Sequence, residues 1–372
     1  LPTGRNLFTT DPRSVPTRAA YTQGVKLADE LVRRHLQDEG DWPRGTIVDL
    51  WGSATMRTAG EEFAMALHLL GVKPVWDVKS DRVSGVEILP IALLDRPRIQ
   101  VTLRISGLFR DVFPNLSMLF EQAIKALRHR DETANWNPYA GQQSQSAVYG
   151  PAPGSYGVNI GNYMDDYTEA GRRAAGTAWL KASAWALSGN RATHDPDGIA
   201  TRVKQADSFV HLQDLPETDL LLAQDYATHQ AGFAAAQSLT GGQAALYHLD
   251  NTDPALPRAR TLQEEVARVV RGRAVQPSWI KGMQRHGFRG AAEIAATLDH
   301  MATFAHLANA VRGHLFDNYY DATVADEDVA NFMQEANPEA LKAMRQQYKA
   351  LLDAGLWQTR RNTVRQALEV VS

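Results

Sequence analysis

The stretch Gly45-Thr-Ile-Val-Asp-Leu50 decides the fold, because it is a short apolar strand that leads straight towards a helix. The connection reads Trp51-Gly-Ser-Ala-Thr-Met-Arg57, and the apolar spacing after it predicts a helix from Thr58 to a C-cap at Gly71. Residues 18–38, upstream of the strand, also have apolar side chains at helical spacing. Helix, strand and helix in this order indicate an α/β layer.

The same alternation continues outward from this stretch. Strand composition recurs at residues 74–76, 82–88, 99–105, 208–212 and 244–249. Helical spacing is found at 114–127, 177–187 and 228–239. From Thr261 onward, where Thr261 and Glu264 fit a capping box, only helices are predicted. The predicted fold class is α/β, with a parallel or mostly parallel sheet flanked by helices and an all-helical C-terminal region.

We divide the chain into five consecutive parts. They are an extended N-terminal segment (1–17), an α/β domain (18–135), a long loop or lid (136–165), a second α/β portion (166–258) and a helical C-terminal region (259–372). The loop combines the polar run Gln142–Ser146 with the turn formers of Gly150–Gly157. Because the chain opens at Leu1 in a Pro/Arg/Thr-rich stretch, we expect it to be a segment of something longer.

Composition narrows the possible partners and locations. The net charge is −3, so nothing indicates the basic face that nucleic-acid binding requires. The absence of cysteine excludes disulfides, thiolate metal sites and a cysteine nucleophile. His68 and Gly71 interrupt the richest apolar run, so we expect no membrane span. Without a signal peptide, a cytoplasmic location is the simplest expectation.

The first candidate site is the junction that follows the first strand. Ligands of open α/β sheets bind beyond the carboxyl ends of strands, where helix N-termini attract anions. Thr55 is a candidate substrate-binding residue, and Arg57 is placed to clamp a carboxylate. Glu61 or Glu62 is a candidate base, although Thr58 and Glu61 also fit a capping box, in which the glutamate is structural.

Two further candidate sites lie in the middle of the chain. Ser106 and Arg110 follow the strand 99–105, and they are candidates for substrate binding unless Arg110 and Asp111 merely close a turn. Tyr156, in the loop Gly150–Tyr163, is typical of an aromatic lid over a flat ligand, and a plain surface loop is the alternative.

His211 and Asp214 form the fourth candidate site, at the end of the strand 208–212. Histidine and aspartate at strand ends hold divalent ions or move protons, so we consider His211 catalytic and both residues metal ligands. The histidine spacings match no compact zinc motif. In the helical region Trp279, Met283 and Phe288 are interpreted as packing residues.

Two nucleotide-binding signatures are absent from the sequence. There is no Gly-x-x-x-x-Gly-Lys-[Ser/Thr] loop, so any ATP that the reaction uses is expected on another subunit. No Gly-x-Gly-x-x-Gly follows a predicted strand, which argues against a dinucleotide enzyme.

Several of these segments together resemble the large subunits of cobalt and magnesium chelatases. The resemblance lies in residues 51–62, 70–76, 86–90, 96–114, 154–156 and 279–283, in the same order, within about residues 40 to 360. The motif Ala-Thr-Met-Arg-Thr at 54–58 resembles the cobalt branch of this family. Pro114 after Phe113 is also similar to that branch.

The resemblance implies a function that residue types alone do not. It implies insertion of Co²⁺, the substrate metal, into the corrinoid hydrogenobyrinic acid a,c-diamide. It also implies an AAA+ ATPase subunit, which holds ATP and Mg²⁺, and a third, bridging subunit. From position and residue type we assign Glu61 and His211 as proton acceptors or transient ligands, with Asp214 as a further metal ligand. Arg57 and Arg110 are assigned as clamps for peripheral carboxylates.

Two alternatives stay open. One is a magnesium or nickel chelatase large subunit, and the other is a non-catalytic tetrapyrrole-binding or docking module. All site assignments assume that the first two strand-to-helix junctions open onto one shared cavity.

Overall fold

The computed structural model describes residues 11–141 and 145–369, which form two compact units. The first unit comprises residues up to 158 together with 178–215 and 237–260, and the second comprises 159–177, 216–236 and the chain from 261 onward. The units therefore interleave along the sequence, whereas the five consecutive parts remain a prediction. Residues 1–10 of the predicted N-terminal segment, and 142–144 of the polar run, lie outside the described residues.

The described residues contain ten strands. They are β1 (Gly45–Leu50), β2 (Val72–Trp76), β3 (Val83–Ile88), β4 (Gln100–Ile105), β5 (Val148–Gly150), β6 (Trp185–Ser188), β7 (Arg191–His194), β8 (Ser208–Gln213), β9 (Ala245–Asp250) and β10 (Arg258–Thr261). Eight of them form one sheet in the order β10-β9-β8-β1-β4-β5-β6-β7. Parallel pairing joins β9, β8, β1, β4 and β5, while β6 and β7 pair antiparallel.

The predicted mostly parallel α/β class is confirmed, with two local corrections. The predicted strands near 74–76 and 82–88 exist, but as β2 and β3 they pair only with each other, as a separate antiparallel ribbon. The helix predicted over 177–187 is wrong in its second half, because β6 begins at Trp185. β6 and β7 form a hairpin around Gly189-Asn190, a two-residue connection that matches the twist of paired strands.

Seventeen α-helices complete the described residues. They are α1 (Arg18–Glu39), α2 (Gly52–Thr58), α3 (Glu61–Leu70), α4 (Ile91–Leu94), α5 (Gly107–Val112), α6 (Pro114–Arg128), α7 (Glu169–Ala182), α8 (Pro196–Gln205), α9 (Gln224–Tyr226), α10 (Gly232–Thr240), α11 (Leu262–Val269), α12 (Pro277–Gln284), α13 (Gly287–Ala308), α14 (Gly313–Ala322), α15 (Glu327–Ala336), α16 (Pro338–Asp353) and α17 (Asn362–Glu369). Two π-helical turns lie at 227–231 and 270–274. The predicted capping box of Thr261 and Glu264 opens α11.

The connection after β1 contains a helix that the sequence did not predict. Residues 52–58 already form α2, and the chain breaks at Ala59 and Gly60, where φ is 55° and 92°. Left-handed backbone of this kind ends one helix and lets α3 begin in a new direction. α2 also packs tightly on α5, because a Cβ on Gly52 would lie 2.5 Å from the backbone nitrogen of Phe109.

The core of the first unit explains why β1 reads as a nearly continuous apolar run. All six of its residues are buried, as expected of a central parallel strand covered on both faces. Phe63, Leu67 and Leu70 of α3 belong to the same core cluster as Val48 and Leu50.

The second unit is built around the long helix α13. Ile294, Leu298 and Met301 of this helix are fully buried, in line with the predicted helical spacing. An aromatic cluster lies further along the chain, where Tyr348 contacts Trp357 at a ring-centroid distance of 5.1 Å. None of the helices in the described part of the chain is both long and apolar enough to span a bilayer.

Candidate functional site

The sheet order places a topological switch point between β1 and β8. From β1 the chain winds to β4 and β5 on one side, and later strands β8 and β9 lie on the other side. At such a point the connections leave in opposite directions, and a crevice opens beyond the carboxyl ends of the two strands. Polar side chains at the ends of β1 and β8 are therefore the first candidates for a site.

Asp49 of β1 joins the neighbouring strands through buried polar contacts. Its carboxylate lies 3.0 Å from Nδ1 of His211 on β8, and 3.3 Å from Nη1 of Arg104 on β4. The indole nitrogen of Trp51 donates to the same carboxylate at 2.9 Å. Asp49, Arg104 and His211 are each at most 2% exposed. These contacts hold Arg104 and His211 in place on the two neighbouring strands.

His248 of β9 extends this arrangement by one strand. It lies opposite His211 in the strand register, and the two rings are 6.2 Å apart. Nε2 of His248 lies 2.8 Å from the side-chain oxygen of Gln213. We call Arg104, Asp49, His211 and His248 the strand-end row, because they occupy matching positions on four adjacent strands.

The orientation of His211 defines its proton chemistry. If the ring is neutral, hydrogen bonding of Nδ1 to the Asp49 carboxylate requires the proton on Nδ1 and puts the lone pair on Nε2. Trp51 packs against the ring at a centroid distance of 4.4 Å and limits its rotation. The carboxylate stabilises the imidazolium that forms when the ring takes a second proton, as required of a general base.

Burial and the Asp49 carboxylate have opposite effects on Arg104. Loss of hydration lowers the pKa of its guanidinium, while the carboxylate of Asp49 raises it. Arg104 also donates to the hydroxyl of Ser183 at 3.2 Å and lies over the ring of Trp179. These contacts hold the guanidinium of Arg104 in the interior. Its positive charge compensates the Asp49 carboxylate that contacts His211.

A second polar cluster joins the end of α2 to the end of β8. Arg57 binds Asp214 with two hydrogen bonds, of 2.6 and 2.9 Å. Glu61 accepts a hydrogen bond of 2.6 Å from the side-chain amide of Asn251, just beyond β9. Burial raises the pKa of Glu61, the Asn251 bond opposes that shift, and the nearby Asp214 carboxylate adds to it. A carboxyl group with a raised pKa is a stronger base than an ordinary glutamate and is better suited to accept a proton.

Glu62, the other candidate base of the first junction, is held by two threonine side chains. It is 1% exposed, and the hydroxyls of Thr55 and Thr58 donate to its two oxygens at 2.5 and 3.0 Å. Burial raises the pKa of Glu62 to about 7, against the lowering effect of the Thr55 hydrogen bond. Thr55 therefore contacts this carboxyl group, whereas its predicted role was substrate binding.

The predicted capping box of Thr58 and Glu61 is wrong. Thr58 belongs to the end of α2, and the N-cap of α3 is Gly60. The backbone nitrogen of Glu61 does donate to Thr58 Oγ1 at 3.2 Å, but the Glu61 side chain turns to Asn251 instead of back to the cap. Glu61 therefore does not cap α3, which was the alternative to its role as a base.

At the second predicted junction, hydrogen bonds connect α5 to the loop 151–155. Ser106 caps α5 by accepting from the backbone nitrogens of Phe109 and Gly52, at 3.2 and 3.1 Å. Nη1 of Arg110 donates to backbone carbonyls of the loop 151–155, and its other two nitrogens donate to Asp111. Tyr156 is 59% exposed and donates to Asp111 at 2.5 Å. In this structure all three nitrogens of Arg110 bond within the chain.

The two predicted clamps lie at one edge of the sheet but face different flanks. The Gly52–Ser106 bond brings the two junctions side by side. Arg57 binds beyond β8, whereas Arg110 binds the loop beyond β5, and the pair β1–β4 lies between those strands. The shared edge is shown, and a shared cavity for both arginines stays a prediction.

The residues predicted to hold a metal have three different partners. Glu61 binds Asn251, His211 binds Asp49, and Asp214 binds Arg57. Within residues 11–141 and 145–369, no group of three or more histidine, aspartate or glutamate side chains has the arrangement of a metal site. Their role as transient ligands stays a prediction.

Asp49 and Arg104 were missed by the sequence interpretation, although the sequence contains a hint of both. Each is a charged residue inside a segment that otherwise has the composition of a buried strand. Charges in such strands need partners on neighbouring strands, so an acidic residue in β1 and a basic one in β4 predict a buried pair.

The chain belongs to the CobN/Magnesium Chelatase family, whose sequence profile matches residues 1–364. It is similar to the aerobic cobaltochelatase subunit CobN of Sinorhizobium sp, with 41% identity over 98% of this chain and 30% of the relative. The corresponding subunit of Pseudomonas aeruginosa is 39% identical over 99% of this chain and 31% of its own length.

More distant and structural relatives agree with this assignment. The magnesium-chelatase subunit ChlH of Oryza sativa subsp. japonica is 26% identical over 100% of this chain and 28% of its own. The catalytic subunit of cobaltochelatase from Mycobacterium tuberculosis superposes with a TM-score of 0.93 and 34% identity, covering 100% of this chain and 33% of that one. The chain thus spans about a third of the length of the relatives it matches.

Proposed function

We propose that this chain is the part of a cobaltochelatase large subunit that takes up protons while Co²⁺ enters a corrinoid ring. The observation that carries the proposal is the buried contact between His211 and Asp49 at the switch point of the sheet. The choice of cobalt rests on the higher identity to cobaltochelatase subunits, 41% against 26% for the plant magnesium chelatase. The proposed macrocycle is hydrogenobyrinic acid a,c-diamide.

Metal insertion replaces bonds from ring nitrogens to hydrogen by bonds to the metal, so the ring protons need an acceptor. His211 accepts one at Nε2, and Asp49 stabilises the imidazolium that results. Glu61, whose pKa burial raises, is the proposed second acceptor. Both groups return their protons to water before the next cycle.

The same residues serve as transient ligands in this proposal. Oxygen and imidazole ligands bind Co²⁺ moderately, and a site that must pass the ion on gains nothing from tight binding. Glu61 begins α3, His211 lies within β8 and Asp214 follows β8, and their side chains offer such ligands. Ligation by Asp214 requires that it exchange its bonds to Arg57 for bonds to the metal.

Substrate binding is assigned to the two junctions. Thr55 and Arg57 serve the first, and Ser106, Arg110 and Tyr156 serve the second, with the arginines directed at peripheral carboxylates. Each arginine exchanges an internal acceptor for a substrate carboxylate, which couples binding to release of Asp214 or of the loop 151–155.

ATP hydrolysis is assigned to a separate AAA+ ATPase subunit that holds ATP and Mg²⁺, with a bridging subunit between the two. The sequence has no phosphate-binding Gly-x-x-x-x-Gly-Lys-[Ser/Thr] loop, which supports this division. Movement of the partner subunits then supplies ring distortion or product release.

The experiment measures cobalt insertion by the complete subunit with its partner subunits, followed by corrinoid absorbance. We expect His211→Ala to slow insertion about 100-fold or more, the range of a lost general base. Glu61→Gln should slow it about tenfold, because one acceptor remains. The exposed His129, changed to Ala, is the matched control and should insert at the wild-type rate.

Corrinoid binding by each variant, measured by absorbance titration, separates chemistry from docking. Retained binding with lost insertion supports the proposal. If both His211→Ala and Glu61→Gln inserted cobalt at the wild-type rate, the proposal would be wrong and a docking role would be favoured. Magnesium chelation is the second candidate, because the plant magnesium-chelatase subunit aligns with 100% of this chain. Insertion rates with Co²⁺, Mg²⁺ and Ni²⁺ in parallel decide between them.

A further inference from the structure

The second unit contains a cavity of about 690 Å³ that the proposed metal insertion does not use. Trp279 and Met283 of α12, together with Leu222, form the apolar part of its lining. The sequence interpreted Trp279, Met283 and Phe288 as packing residues. For Phe288 this is wrong, since it is 68% exposed, and the other two line the cavity.

One ion pair in the lining is closed. Nε and Nη2 of Arg273 donate to Asp219 at 2.5 and 3.1 Å, and the guanidinium stacks on Trp279 at 4.5 Å. Asp219 also accepts from the backbone nitrogen of Leu221 at 2.9 Å. The charges of this pair compensate each other, so it contributes a rigid, stacked wall and little net field.

A second ion pair in the lining is open. Nε of Arg289 and Oε1 of Glu293 are 4.0 Å apart, which is too long for a hydrogen bond. Both side chains line the cavity, and the Arg289 side chain is 86% exposed. A strong donor and a strong acceptor therefore stand side by side without a hydrogen bond between them.

The charges of the lining disfavour an anionic ligand. Three carboxylates, of Glu217, Asp219 and Glu293, line the cavity with only two arginines, so acidic side chains outnumber arginines by one. We infer that the cavity binds an uncharged ligand with an amide group beside an apolar group. The amide carbonyl accepts from Arg289, and the amide N–H donates to Glu293.

The apolar part of such a ligand lies against Trp279, Met283 and Leu222. The volume, about 690 Å³, is within the range of roughly 300–1,000 Å³ that is typical of small-molecule sites. A primary carboxamide of a small molecule and a peptide bond offer the same chemistry, so the test includes both.

Ligand-observed NMR titration of the complete subunit tests this inference with three probes of similar size. They are 4-methylpentanamide, N-acetyl-leucine N-methylamide and the anion 4-methylpentanoate. We expect an amide to bind about tenfold more tightly than the carboxylate, and the better amide identifies the source. Equal binding of the carboxylate, or no binding of either amide, would overturn the inference.

Three single variants locate the binding. Arg289→Gln and Glu293→Gln should each weaken binding of the better amide about three- to tenfold, the effect of one hydrogen bond. Glu293→Gln also removes the excess negative charge, so 4-methylpentanoate should bind more tightly to it than to the wild type. Arg285→Gln changes an exposed arginine outside the lining and should bind like the wild type. The same affinities in all three variants would rule out this cavity.

Discussion

Two groups of charged residues, one in each unit, stand in opposite surroundings. In the first unit, the strand-end row is buried, and Asp49 is 2% exposed between Arg104 and His211. In the second unit, Arg289 and Glu293 line a cavity, and the Arg289 side chain is 86% exposed. Buried charges depend on each other, whereas exposed charges are stabilised mainly by water. The first arrangement therefore suits fixed geometry and proton transfer, and the second suits exchange of partners with a ligand.

The largest expected effect is on the buried side of this comparison. Asp49→Asn leaves Arg104 charged and buried without its counter-ion, and should lower the free energy of unfolding by about 3 kcal/mol. Urea denaturation, followed by hydrogen exchange of the β1 amides, measures this loss in the unit concerned.

Asp41→Asn is the matched control, because it removes a carboxylate whose side chain is 67% exposed beside Arg44. It should change the free energy of unfolding by less than about 0.5 kcal/mol. A comparable loss in both variants would mean that burial of the row has no energetic consequence.

The next expected effect is a pH dependence of stability that arises from the buried Glu62. Burial raises the pKa of Glu62 from 4.5 to about 7, so the folded state holds a proton that the unfolded state releases between these values. Its contribution to stability is therefore fully present below pH 4.5 and is lost as pH rises through 7. The size of the change is about 3 kcal/mol.

Glu62→Gln should remove this dependence, because glutamine resembles the protonated carboxyl and its side-chain oxygen still accepts a hydrogen bond from Thr55. The difference in melting temperature between variant and wild type, measured from pH 5 to pH 8, should therefore grow with pH in favour of the variant. A constant difference across this range contradicts the raised pKa.

The smallest expected effect concerns Arg289 and Glu293, the ion pair without a hydrogen bond. Arg289→Gln removes a charge that water already stabilises, so the free energy of unfolding should change by at most about 0.5 kcal/mol. Thermal unfolding of the complete subunit measures it beside Asp49→Asn. A loss as large as that of Asp49→Asn would show that the exposed pair is as interdependent as the buried row.

Local patterns accounted for much of the first unit. The all-buried strand β1, the strand β4 and the C-cap at Gly71 are predicted correctly, because apolar runs and glycine preferences act over a few residues. The expectation that Glu61 lies beyond a strand end follows from the same local reasoning, whereas His211 lies within β8. The Gly189-Asn190 hairpin was not predicted, because the apolar residues of β6 continue the helical spacing of residues 177–187.

Long-range pairing determines what the sequence did not show. His211 meets Asp49 because β8 pairs with β1 across 162 residues, and no periodicity encodes which strand is the neighbour. The capping box failed for a related reason, since Asn251, 190 residues away, draws the Glu61 side chain from the helix start. Glu62 then takes the threonine hydroxyls, an exchange between adjacent glutamates that depends on tertiary contacts.

The pairing of β1 with β8 also has a consequence for biosynthesis. A ribosome that adds about 5–20 residues per second needs roughly 10–30 s to produce the 162 residues that separate Asp49 from His211. Throughout that interval one side of β1 has no native neighbour, whereas β4 covers the other side once a further 55 residues are made. An apolar strand with an open edge recruits other chains. We therefore expect chaperones that shield nascent strands to raise the soluble yield more than mutations that stabilise the finished fold.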